Sequence, residues 1–285
     1  MERLFLVTIL TASVAAVIGC AVDLARGPVS RGRLERFARR QLLQITPGNG
    51  NHVIRYLAST RRWRVAGLVG GILVSSTWYA ATEGFRIDFL TLLAGWFAGA
   101  LVAEVAMARR SLGQRRTASL EPRLPGAYLP RTAWAFPAVA AALSVAVATA
   151  TAIAAALDRA EPSWAAAFWA VVALAGAVTV RAAQGYVLRR PQPLADPDVL
   201  AADDAIRSRS LHVLSGGGAA LILYCVLGQF GSAHSTFGGG VDQAVAAAAT
   251  VTLFAAPALG WIVATAAWRV RRPEGSTPVG GVVSA

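Results

Sequence analysis

RGPVSRGRLERFARRQLLQITPGNGNHVIRYLASTRRWR, residues 26–64, is a basic island between two long apolar runs. Ten arginines lie in it, at positions 26, 31, 33, 36, 39, 40, 55, 61, 62 and 64. In a membrane protein such a segment stays on the cytoplasmic side, because positive charge close to a span resists translocation. That one placement orients every apolar run that follows.

The rest of the composition agrees with a bilayer as solvent. The 285 residues are 55% hydrophobic and 15% charged, with a mean hydropathy of +0.52, well outside the range of ordinary soluble domains. A net charge of +12 would point a soluble chain toward nucleic acid. Here the cations sit between apolar runs, so nucleic acid is not an expected partner. All 27 cations are arginine and none is lysine, which with the alanine richness reads as codon bias of a high-GC bacterium. The expected location is therefore the bacterial cytoplasmic membrane. Cys20 and Cys225 both lie in apolar runs and build neither a disulfide framework nor a zinc cluster.

A hydrocarbon core of about 30 Å needs about 20 apolar helical residues. Seven runs meet that requirement, at 4–22, 65–81, 87–107, 133–157, 164–186, 211–230 and 244–268. The expected fold is an all-α, polytopic bundle of seven transmembrane helices forming a single membrane domain, N-terminus outside and C-terminus cytoplasmic. Val17-Ile18-Gly19-Cys20 matches a lipoprotein-signal pattern. Cleavage there would leave the ten-arginine loop outside and invert the later loops against the charge rule, so the run is taken as a span. With seven spans the segments assigned to the cytoplasm carry 10, 6, 4 and 3 of the arginines. Only Arg3, Arg86 and Arg159 fall outside, and Arg181 interrupts the fifth span.

Within the first basic loop Leu34, Phe37, Leu42 and Ile45 recur at helical spacing, with Arg36, Arg39 and Arg40 on the other side. This predicts an amphipathic helix over 30–45, lying in the membrane surface on anionic lipid head groups or packed beneath the bundle. Thr46-Pro47-Gly48-Asn49-Gly50 is expected to end it. The loops 109–131 and 189–210 are expected on the cytoplasmic side, the second holding a short surface helix that starts at Asp196-Pro197. Gly67 with Gly71, and Gly95 with Gly99, have the spacing of close helix contacts.

No catalytic, cofactor-binding or metal-ligating constellation is visible. His52, His212 and His234 are scattered, and the chain lacks a phosphate-binding glycine loop, a nucleophile elbow and a paired-cysteine motif. The outliers are charges at membrane depth, Glu104 and Arg181, each of which costs about 2.5–3.5 kcal/mol at a span centre. Both spans run outward to inward, so the two are expected to reach a similar depth and pair. Pro257 with Gly260 marks a candidate hinge in the last span. The charge distribution favours a non-catalytic accessory or permease-like subunit acting with a cytoplasmic protein partner. The alternative is a stand-alone transporter or channel with a polar site near Glu104 and Arg181.

Overall fold

The computed structural model describes residues 11, 15, 17–19, 21–22, 25–82, 89–109, 124–157, 164–190, 196–233, 240–268 and 270. Most of the first expected span, Cys20, residues 110–123 of the second basic loop and His234 lie outside them. Eight helices are bounded: α1 (Arg31–Gln41), α2 (Pro47–Thr82), α3 (Phe89–Arg109), α4 (Pro125–Tyr128), α5 (Arg131–Ala156), α6 (Trp164–Arg189), α7 (Pro197–Ala233) and α8 (Gly240–Thr265). Among the described residues there is no strand. Among them, five segments are long and apolar enough to cross a membrane: Thr91–Arg109, Arg131–Ala156, Trp164–Arg189, Pro197–Phe230 and Gln243–Thr265. The chain is a multipass, all-helical membrane protein.

The central helix is α7. Its apolar window is 78% buried, against 11–33% for the other four, so α3, α5, α6 and α8 present large faces to the surroundings while α7 is enclosed by them. Alanines 140, 141, 173, 219 and 256 cluster with Ile222, Leu223 and Val226 around it. Small side chains let the helices approach closely. The approach is closest where glycines face backbone. A Cβ added at Gly67 of α2 would lie 2.2 Å from the Gly95 carbonyl oxygen of α3, and one at Gly99 would lie 2.3 Å from the Trp63 carbonyl. The two four-residue glycine pairs read from the sequence therefore lock into each other. Gly216 of α7 stands against α8 in the same way, 2.3 Å from the Gly260 oxygen.

Several sequence expectations change here. Helix α1 ends at Gln41, four residues short of the expected boundary, because Leu42 turns into the left-handed region at φ 49°. Thr46-Pro47-Gly48-Asn49 does not merely terminate that helix; it starts the next. The Asn49 side chain accepts from the Thr46 amide at 2.9 Å and the Thr46 hydroxyl accepts from the Asn49 amide at 3.4 Å, a reciprocal cap. Pro47 fills the first helical position, where its missing N–H is no loss. Residues 47–64, expected as loop, are thus the opening turns of α2. Likewise, residues 197–210 are not a separate surface helix in a loop. Asp196 and Pro197 do open a helix, but it runs unbroken through 211 into the span, and residues 202–208 are buried. The reason is packing: Ala202, Ala205 and Ile206 meet Phe37, Val53 and Tyr56 in one apolar cluster.

At 1.5 Å per residue the 36-residue α2 and the 37-residue α7 are each about 55 Å long, against about 30 Å of hydrocarbon. Their N-terminal halves, with α1 and α4, build a folded platform at the arginine-rich end. The amphipathic face of α1 serves that platform. Phe37 is buried against Tyr56 with ring centroids 6.0 Å apart, and Leu34 and Ile45 pack beside it, while Leu42 stays exposed.

Candidate functional site at the arginine-rich end

Three polar assemblies sit where the platform meets the bundle. The first surrounds Glu104, near the end of α3 and wholly buried. Tyr56 of α2 donates its hydroxyl to both carboxylate oxygens, at 3.0 and 3.1 Å, and Ser210 of α7 donates to Oε2 at 2.6 Å. One carboxylate thereby joins three helices, and the charges of Arg64 and Arg209 act on it favourably. Burial, and then the Glu104 carboxylate, push the Tyr56 phenol well above its ordinary range, so it remains a donor.

The second assembly is ionic. Asp203 of α7 bridges Arg190, at the end of α6, and Arg207, one turn along its own helix at 3.0 Å. Arg207 also donates to the carbonyls of Leu188 at 2.9 Å and Arg190 at 3.1 Å, closing the C-terminus of α6. Ser208 donates to the Tyr128 carbonyl at 2.8 Å, and the Trp268 indole to the Ala127 carbonyl at 3.1 Å. These bonds fasten α4 and the segment after α8 to α7.

The third is a cavity of about 260 Å³ between α1, α2, α3, α7 and α8. Six arginines line it, Arg33, Arg36, Arg40, Arg61, Arg64 and Arg209, and among the described residues no acidic side chain does. Burial, and then Arg33 and Arg62, press the Arg61 guanidinium below its usual value. Arg61 is held by the Gly27 and Pro28 carbonyls and Arg209 by the Ala264 carbonyl. The Nε atoms of Arg61 and Arg64 are buried without partners. So are both polar atoms of Gln41, a side chain only 5% exposed. On the bundle side Trp96 and Trp261 complete the wall, the first beneath Arg64 at 6.0 Å.

The expected pair of Glu104 and Arg181 does not form. Glu104 faces α2 and α7, whereas Arg181 points toward α5, its guanidinium 4.0 Å above the Trp134 ring and 3.4 Å from Gln184 Oε1. The two side chains face different neighbouring helices. Pro257 lies inside an α8 that continues helical to Thr265, and Gly260 is spent on close contact with Gly216. Arg36 and Arg40 of α1 line the cavity, and Arg39 is exposed. His212 is buried within α7, its Nδ1 2.8 Å from the Ser208 carbonyl. Among the described residues no group of three or more His, Cys, Asp or Glu side chains forms a metal site.

Sequence reasoning missed Tyr56, Ser210 and Gln41, which carry no signal of their own in the chain. The Asp203–Arg207 pair was legible as an i, i+4 spacing on a helix. No protein-family profile, curated protein or solved structure matches this chain.

Proposed function

We propose that the protein is a non-catalytic membrane subunit, accessory or permease-like, with seven spans and its arginine-rich platform in the cytoplasm, where it engages a protein partner. The observation that carries this reading is the platform itself. Two helices, α2 and α7, are each longer than the hydrocarbon core is thick, α1 packs against their N-terminal parts, and Arg31, Arg36, Arg39, Arg55 and Arg62 are exposed there. The charge rule puts that surface inside the cell. The interior below it favours transport less. Glycine-to-backbone contacts close α2 on α3 and α7 on α8, and the Glu104 carboxylate is occupied by fixed donors rather than facing a path.

Proteoliposomes and a cellular cross-link test it together. Reconstituted protein is expected to leave proton and potassium permeability at the level of empty vesicles, and a photo-cross-linker replacing Arg62 is expected to trap a discrete cytoplasmic protein. An ion flux abolished by Glu104→Gln would establish the transporter reading in its place.

A further inference from the structure

We propose that the arginine cavity is a binding site for a multivalent phosphate group, presented by a lipid of the adjoining leaflet or by a soluble phosphate compound. The inference does not depend on the subunit reading above. Four features carry it. Six guanidinium groups converge on one cavity, and among the described residues no carboxylate lines it to neutralise them. Glu104, the nearby buried acid, is a single charge set against two of those arginines, Arg64 and Arg209, and leaves the rest without a counter-charge. Positive charge of that density is stable only with counter-charge, and the planar fork of arginine matches phosphate oxygens two at a time. Gln41 adds an unsatisfied polar group beside those charges: it belongs to the cavity wall, and its amide is buried with neither nitrogen nor oxygen partnered, an unfavourable state that a phosphate ligand bound next to it can relieve by a small side-chain shift.

The charge count selects the phosphate class. A diester carries one negative charge, whereas a phosphomonoester carries about 1.5 to 2 at neutral pH. The wall selects the setting. Arg33, Arg36 and Arg40 of α1 form the polar side, while Trp96 and Trp261 close the side toward the spans, Trp261 being 53% exposed. A head group entering from the leaflet would place its phosphate among the guanidiniums and its glycerol against the indoles.

Calorimetric titration of the detergent-purified protein tests the site with three probes: dioctanoylphosphatidic acid, dioctanoylphosphatidylglycerol and inorganic pyrophosphate. One-to-one binding of phosphatidic acid or of pyrophosphate is expected, with phosphatidylglycerol weaker by about tenfold or more for its single charge. Tighter binding of phosphatidic acid assigns a lipid source, and tighter binding of pyrophosphate a soluble one. The triple variant R33Q/R36Q/R40Q removes three charges from exposed or half-buried positions on α1 and is expected to weaken binding about a hundredfold. Gln41→Leu separates ligand from fold: removing an unpartnered amide should raise the melting temperature of the free protein yet weaken the phosphate complex. Failure of both phosphate probes to bind, equal binding of phosphatidylglycerol, or affinities unchanged in both variants would overturn the assignment.

Discussion

Tyr56 shows how much one hydroxyl decides in this protein. Its single proton is shared between the two oxygens of Glu104, and its ring fills the cluster that seats α1. Tyr56→Phe keeps the ring and removes the donor to a charged acceptor, a loss of about 1.5–3 kcal/mol. The melting temperature in detergent should fall accordingly, whereas an unchanged value would show that the carboxylate does not depend on this bond. The same residue gives a pH dependence. Its phenol titrates higher in the folded protein than the ordinary value of 10.0, so above that value the unfolded chain releases a proton that the folded chain keeps. Stability from this group is complete below pH 10.0 and declines as the pH rises from there toward the folded value. The decline should be shallower in Tyr56→Phe than in the parent.

At the scale of elements, the glycines sort by what stands opposite them. Gly67, Gly95 and Gly99 meet backbone of the partner helix within 2.2–2.3 Å of an added Cβ, but Gly70, one turn along α2, meets nothing within 4 Å. Gly67→Ala is therefore expected to force α2 and α3 apart at a cost of about 1–3 kcal/mol. Gly70→Ala should be neutral or slightly stabilising, because alanine favours helix by about 1 kcal/mol over glycine. Thermal denaturation of the two variants side by side checks the pairing. Equal melting temperatures would mean that the two helices are not held at this distance. The motif was visible in the sequence, yet four-residue glycine spacing is common in a chain with 27 glycines. Only the facing partner distinguishes Gly67 from Gly70.

The whole molecule is organised around α7, which is at once the buried centre of the bundle and a main beam of the platform. A surface helix followed by a separate span would exchange its amide hydrogens quickly over 197–210 and slowly beyond. The continuous helix predicts otherwise. Amides from 202 to 210 should be protected about as strongly as those of 211–230, since Ala202, Asp203, Arg207 and Ser208 are enclosed and bonded to α1, α2, α4 and α6. Rapid exchange in that segment, measured by hydrogen–deuterium mass spectrometry, would contradict the platform. Arg209 and Glu104 extend the same logic, because each ties α7 to a different neighbour, α8 and α3.

Sequence alone determined that this chain is helical, apolar and membrane-spanning, since backbone satisfaction in hydrocarbon leaves a hydrophobic run few alternatives. It also placed the arginines in a few clusters and put an amphipathic helix near residues 30–45, because periodicity records which face of a helix is apolar. It did not determine what that face touches. Phe37 suits a lipid surface as well as a protein pocket, and only tertiary packing chose Tyr56 and Ile206. Nor did depth along two helices determine a pair: Glu104 and Arg181 differ in azimuth, a quantity set by how neighbouring helices rotate against each other. The cavity belongs wholly to tertiary structure, for its arginines come from α1, α2 and α7, three helices that no local pattern relates. Residue type announced charge; convergence of helix ends made it a site.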